Sequence, residues 1–194
     1  MATVKILIEG YTSGDTGGRS CSTIVLVCDG KLNMVIDPGT VAKPEVLIRE
    51  LKKEGLSVND INVVGITHAH TDHNRNVGMF PKAKVIDYWG WWEGDMWTKS
   101  DGKVLGDIRI LNTPGHSDDS ITFLIKTDKG LIAVCGDVFW KKDSPKKDPY
   151  ATNALKLKKN RKLILEKADY IIPGHDGIFK NSKFETRNSK LKNL

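Results

Sequence analysis

The sequence predicts a layered α/β protein built on two β-sheets rather than on one doubly wound parallel sheet. Three observations point there. Short apolar runs rich in β-branched residues recur along the chain, most of them bounded by Gly, Pro, Asn or Asp. Two segments carry helix start and stop signals. Strands come first, strand and helix then alternate, strands return, and a helix and a last strand close the chain. With 194 residues, 39% of them hydrophobic, the chain is long enough to bury a core, and its length favours one domain over residues 1–194.

The expected strands are residues 3–8, 22–28, 32–36, 61–66, 84–88, 108–111, 120–125, 131–135 and 170–172. The first expected helix, 44–54, opens with Pro44 at an early helical position and stops at Gly55. The second runs over about 151–167. At 100° per residue Ala154, Leu157, Ile164, Leu165 and Ala168 share one arc, interrupted by Arg161, while Lys156, Lys159, Lys162 and Lys167 fall outside it. That pattern presents an apolar face to the core and a basic face to water. No repeat of fixed period is visible. The polar, lysine-rich stretch 181–194 reads as a frayed end or a surface helix.

Composition narrows the function classes. No stretch approaches the ~20 apolar residues that cross a bilayer, and the first ten residues carry Lys5 and Glu9, unlike a signal peptide. The expectation is a soluble, cytoplasmic protein with no membrane partner. Cys21, Cys28 and Cys135 form no CxxC pair, sit in apolar runs and are odd in number, which fits reduced, buried thiols. The net charge of +6 is uneven: residues 1–140 hold 15 basic and 18 acidic side chains, residues 141–194 hold 15 and 6. The basic quarter is either a solvated lysine-rich surface or an attraction to an anionic substrate or nucleic acid.

The chemistry is carried by the histidines. Only five exist, and three of them fall in Thr67-His68-Ala69-His70-Thr71-Asp72-His73, directly after an expected strand. The other two follow Pro-Gly turns, at Pro114-Gly115-His116 and Pro173-Gly174-His175, again after strands. A fourth strand end, Cys135-Gly136-Asp137, delivers a carboxylate in the same manner. One Pro-Gly-His would be a weak signal; here all five histidines fall at turn positions after expected strands, three of them inside one HxHxDH run. Imidazole nitrogen and carboxylate oxygen suit zinc, and manganese or iron accept them too. Seven groups exceed the needs of one tetrahedral ion, whereas two ions ~3.5 to 4 Å apart that share a carboxylate would use them all.

These motifs resemble the metallo-β-lactamase superfamily over residues 6–180: HxHxDH, then PGH, then GD, then PGH, in that order. Asp72-His73-Asn74-Arg75-Asn76-Val77-Gly78-Met79-Phe80-Pro81 and Gly136-Asp137-Val138-Phe139 further resemble the metallo-β-lactamase domain-containing protein 1 subgroup. The resemblance implies a four-layer αββα sandwich with the site at one edge, between the sheets. It implies His68, His70 and His116 on a first divalent ion, Asp72, His73 and His175 on a second, and Asp137 bridging them as in the glyoxalase II and ribonuclease branches. An aspartate at 137 argues against a β-lactamase proper, where cysteine or another residue commonly stands. Asp37, in Ile36-Asp37-Pro38-Gly39, matches a family aspartate that orients ligand histidines, though Asp-Pro-Gly is equally the signature of a strand-ending turn. Asn74-Arg75 departs from the small or glycine-containing pair frequent in the family; Arg75 points either to solvent or toward an anionic substrate group.

The implied activity is hydrolysis of a small, anionic ester, thioester or related bond. The nucleophile would be a hydroxide held by two Zn2+, Mn2+ or Fe2+ ions, with Asp72 and Asp137 as its catalytic orienting carboxylates. With all five histidines assigned, none remains to protonate a leaving group, which favours thiolate or alkoxide departure. The alternatives are a metal-dependent endoribonuclease or phosphodiesterase with RNA as partner, an iron-dependent oxidoreductase on the same fold, and a binding module without catalysis. The chain is expected to act as a monomer or homodimer. Two segments stand ready to shape a pocket: a glycine-rich loop at 11–19 that does not match GxxxxGK[ST], and residues 88–97, which hold four of the five tryptophans. The tryptophan segment reads as a packed cap or dimer contact ahead of a substrate lid or a base-stacking surface.

Overall fold

The computed structural model describes residues 1–13, 18–30 and 32–182; the centre of the glycine-rich loop and residues 183–194 of the polar stretch lie outside it. In chain order, β1 (Thr3–Ile8), β2 (Tyr11–Thr12), β3 (Ser20–Cys21), β4 (Ile24–Cys28) and β5 (Asn33–Ile36) precede helix α1 (Pro44–Lys53). Then come β6 (Val63–Gly65), the one-turn helix α2 (Thr71–Asn74), β7 (Lys84–Ile86), β8 (Trp91–Glu93), β9 (Met96–Thr98) and β10 (Lys103–Leu105). β11 (Ile108–Asn112), β12 (Ile121–Thr127), β13 (Gly130–Val134), α3 (Ala154–Lys167), β14 (Tyr170–Ile172) and β15 (Phe179–Lys180) complete it.

Two large sheets form, as expected: β1-β4-β5-β6-β7-β8-β9 and β10-β11-β12-β13-β14-β15, with β2 and β3 pairing separately. Strands covered on both faces read as near-continuous apolar runs, and alternate residues of such a run serve different layers. In β4, Val25 and Val27 join Met34 and Ile36 of β5 in the core between the sheets, where they meet Phe123, Ile125 and Val134. Leu26 and Val35 turn the other way, onto Leu47 and Leu51 of α1. In the second sheet Ala133 and Ile171 face outward onto Leu157 and Ile164 of α3 and onto Ala168 just past its end. The result is helix, sheet, sheet, helix: the αββα sandwich.

The apolar runs located the long strands and both long helices; β1 and β14 match residue for residue. The expected 22–28 strand begins late because Ser22 and Thr23 give their backbone N–H groups to Asp72 and Gly174 carbonyls, so this corner is tied to the loops bearing the histidines. On α3 the expected arc needs correction. Ala154 is exposed, and Asn160 is buried in its place with its amide donating to the Pro114 carbonyl at 2.6 Å. Arg161, the interruption in the arc, is half-buried and donates to the Val138 and Pro145 carbonyls. Asn181 is likewise buried and anchored to the Leu165 and Ala168 carbonyls. The three cysteines are free; Cys21 and Cys135 are buried, and Cys28 only half-buried. Among the described residues no helix is long and apolar enough to cross a membrane.

Residues 88–97 are the largest departure. They contain a β-hairpin, β8 paired with β9 around a turn at Gly94, which extends the edge of the first sheet. Tryptophan, glutamate and methionine do not alternate in polarity as a half-buried strand does, so the pairing left no period-two signal.

Candidate metal centre

Five ligand candidates sit just past the carboxyl ends of strands, and Asp72 and His73 follow on α2. His68 and His70 follow β6 of the first sheet, while His116, Asp137 and His175 follow β11, β13 and β14 of the second. β13 and β14 are parallel, and β11 runs antiparallel to β12, which runs antiparallel to β13. All three second-sheet strands therefore end on the same side, opposite β6, and their loops meet at one edge of the sandwich.

Tight turns allow that meeting. Gly115 has φ +140°, and a Cβ there would lie 2.3 Å from the Leu157 backbone nitrogen, so the Pro-Gly-His turn fits under the first turn of α3 only as glycine. Gly174 is more confined still: a Cβ would lie 1.8 Å from Oδ1 of Asp137. The backbone before His175 thus passes directly against the carboxylate that the other loop presents.

Two clusters of ligand atoms result. His68, His70, His116 and Asp137 form one and Asp72, His73 and His175 the other, each with ligand atoms within 4.8 Å of one another. Nδ1 of His70 lies 3.0 Å from Nε2 of His68 and 3.1 Å from Nε2 of His116. Asp137 faces both clusters. Its Oδ2 is 3.5 Å from Nε2 of His116, its Oδ1 is 3.3 Å from Nε2 of His73, and both oxygens approach Nε2 of His175, at 3.2 Å and 3.3 Å. All seven residues read from the sequence are therefore brought together, and His68, His73, His116, Asp137 and His175 are buried.

The outer partners fix what these atoms offer. Thr67 Oγ1 donates to Asp37 Oδ2 at 2.6 Å, so it accepts from Nδ1 of His68 at 3.1 Å. Nδ1 of His73 donates to Asp37 at 2.8 Å, Nδ1 of His116 to Asp148 at 2.8 Å, and Nδ1 of His175 to the Cys21 carbonyl at 3.0 Å. A neutral imidazole that donates from Nδ1 keeps a bare lone pair on Nε2. In that neutral state the Nε2 atoms of His68, His73, His116 and His175 turn lone pairs into the space around Asp137. Burial lowers the His73 imidazole, but the Asp137 and Asp37 carboxylates outweigh it and hold it well above its usual range, so without metal a proton takes the place of the cation there. Asp37 is the orienting residue, not merely a turn former. Its left-handed backbone (φ 48°) aims one carboxylate at Thr67 and His73 together.

Orphaned atoms provide the fit test. Nε2 of His73 and Oδ1 of Asp137 are buried with no hydrogen-bond partner, a state that costs free energy unless another group ligates them. Burial holds the His68 imidazole well below its usual range, hence neutral and able to coordinate. Burial would raise the Asp137 carboxyl, but the positive charge that His73 carries without metal, together with hydrogen bonding to His175 and His73, holds it well below the usual carboxylate range. Imidazole nitrogens and carboxylate oxygens, with no thiolate among them, suit divalent zinc, manganese or iron.

The centre opens on a cleft of about 370 Å³ lined by His70, Asp72, His116, Asp137 and His175 together with Thr12, Ser20, Trp140 and Tyr150. Trp140 and Tyr150 stack with ring centroids 5.7 Å apart. Sequence reading missed this pair, as well as Ser20, whose hydroxyl donates to Asp72 Oδ2 at 2.6 Å, and Asp148. Asp148 and Tyr150 lie in Lys141-Lys142-Asp143-Ser144-Pro145-Lys146-Lys147-Asp148-Pro149-Tyr150, where the run of lysines reads as plain surface. The 88–97 tryptophans do not line this cleft, and Arg75 is exposed outside it.

A metallo-beta-lactamase superfamily profile matches residues 16–106. Metallo-beta-lactamase domain-containing protein 1 of Xenopus laevis is 30% identical over 190 residues, 91% of this chain and 81% of the frog protein. The chain belongs to the metallo-β-lactamase superfamily. A Francisella tularensis hydroxyacylglutathione hydrolase is 30% identical over 59% of this superfamily member and 46% of its own length. The fold of a metallo-β-lactamase-like protein from Thermotoga maritima superposes with TM-score 0.75 and 22% identity, covering 92% of this chain and 99% of that one. The protein is thus of the metallo-hydrolase superfamily and carries its His/Asp metal-binding cluster.

Proposed function

We propose that this protein is a dinuclear hydrolase of small esters, thioesters or related bonds. His68, His70 and His116 would hold one divalent ion, Asp72, His73 and His175 the other, and Asp137 would lie between them. The observation that carries this reading is the Asp137 carboxylate, which lines the cleft and lies within 3.5 Å of histidines of both clusters, His116 on one side and His73 and His175 on the other. Bound divalent ions supply Lewis acidity and bring the pKa of water down to about 7.

The chain's own groups do the rest. Asp72 and Asp137 accept from, and so orient, the attacking water, and Ser20 pins Asp72 by donating to Oδ2. The stacked Trp140 and Tyr150 give the cleft an apolar wall against which an acyl group packs. No imidazole is left to donate a proton, since all five face the two clusters. That suits a leaving group that departs as a thiolate, and the likeness to a hydroxyacylglutathione hydrolase supports a thioester substrate. Lys141, Lys142, Lys146 and Lys147 are exposed on the segment joining the two cleft aromatics, so the substrate is drawn as an anion. Three free thiols accord with a reducing, cytoplasmic setting.

Metal-loaded protein assayed against acyl-thioesters, lactones and phosphodiesters tests the reading. Metal-dependent turnover of a thioester or ester, lost in Asp137→Ala, is the expected result; no turnover across the panel ends the small-substrate reading. The same lysine segment favours RNA as the second candidate substrate. Undetectable RNA binding at low salt would remove it.

A further inference from the structure

A second cavity of about 400 Å³ lies on the other side of the loop that carries His68 and His70. Its walls include Tyr88, Trp89 and Trp92, with the carboxylates of Asp87 and Asp119 and the imidazole of His68. No lysine or arginine is among the residues that line it. The Tyr88 and Trp89 rings stand at 87° to one another with centroids 5.5 Å apart, making a corner of two aromatic walls. Asp87 holds that corner in place: Oδ1 accepts from the Trp89 and Gly90 backbone N–H groups and Oδ2 from the Trp92 indole at 3.1 Å.

Three large aromatic rings are left open to solvent here, Trp89 at 54% exposure and Tyr88 and Trp92 at 39% each. Burying such surface against another group is favourable, and the chemistry of the walls selects the group. Ring faces are electron-rich and attract a cation through their quadrupoles. Two carboxylates add negative charge and repel an anion. Both Asp87 oxygens and Asp119 Oδ2 already accept hydrogen bonds from the protein, so few free oxygen ligands remain with which a strongly hydrated inorganic cation could recover its lost water.

We propose that this pocket binds an organic cation of the alkylated ammonium class, its head seated against Tyr88, Trp89 and Trp92 with Asp87 and Asp119 supplying the opposite charge. The assignment does not rest on the catalytic reading. The pocket nevertheless adjoins the metal loop through Ala69, which lies between the two ligand histidines. Two pocket residues pin its backbone: Asp119 Oδ2 accepts its N–H at 2.9 Å and Asn74 Nδ2 donates to its carbonyl at 3.1 Å. A bound cation therefore packs against the side chains that set the position of His68 and His70.

Ligand-observed proton NMR with choline as the probe tests the proposal. The reference is its neutral tert-butyl isostere, in which carbon replaces the ammonium nitrogen. Ring currents should move the choline methyl signal upfield in a saturable manner, with binding roughly tenfold tighter than that of the isostere. Trp89 is exposed, so its replacement spares the core. Trp89→Leu should weaken choline roughly tenfold, while Trp89→Tyr, which restores a ring face, should recover most of the loss. Equal binding of the isostere, undiminished binding in Trp89→Leu, or no saturable shift at low salt would each overturn the assignment.

Discussion

The buried carboxylate of Asp148 accepts the Nδ1 proton of His116 at 2.8 Å, joining the segment between Trp140 and Tyr150 to the metal centre. The contact orients the imidazole and fixes its tautomer, so the effect of losing it falls on metal affinity. Asp148→Ala should weaken metal binding by about 10- to 100-fold with the fold intact, measured by competition with a chromophoric chelator. Unchanged affinity would mean that the turn at Gly115 alone positions His116.

Thr67 relays between Asp37 and His68 through one hydroxyl. Thr67→Val keeps the shape and removes both bonds, leaving Nδ1 of His68 buried without a partner. The metal-free protein should lose about 1 to 3 kcal/mol in urea unfolding. A loss below a few tenths would show that Asp37 is satisfied through His73 and the Thr67 backbone N–H alone.

Gly174→Ala places a methyl group where Oδ1 of Asp137 now lies. The carboxylate must move, and with it the contact shared by the two clusters. The expected outcome is loss of bound metal and of activity in a protein whose circular dichroism is little altered. Native metal content in that variant would refute the packing argument.

Thiol chemistry probes the core. Cys21 and Cys135 are buried, and burial raises both thiols above their ordinary range; Cys28, half-buried, is raised by burial and by the nearby Glu54 and Asp29 carboxylates. A raised thiol holds less thiolate at neutral pH, so labelling is slowed and quickens as pH climbs. Ellman's reagent at pH 7.5 should label Cys28 slowly and the other two only after unfolding. Rapid labelling of Cys135 in the folded protein would contradict its burial.

Much of this was legible in the sequence because the burial pattern and the ligand chemistry are both local. Runs such as Ile24 to Cys28 are apolar because both sheet faces are covered, and His68, His70, His116 and His175 stand three to five residues beyond a strand, with His73 on the one-turn helix that follows β6. What stayed hidden depends on tertiary context. Nothing in a lysine-rich segment distinguishes Asp148, the acceptor for His116, from the exposed Asp143 five residues earlier. The β8–β9 hairpin escaped because its residues do not alternate in polarity. Asn160 broke the helical arc for a reason visible only once the Pro114 carbonyl lies above it.

Metal stoichiometry tests the central claim most directly. Elemental analysis of the folded protein, saturated with zinc and freed of excess by gel filtration, should return two ions per chain, falling to one or fewer in His175→Ala. A single ion in the unaltered protein, or a well-folded protein that retains none, would contradict it.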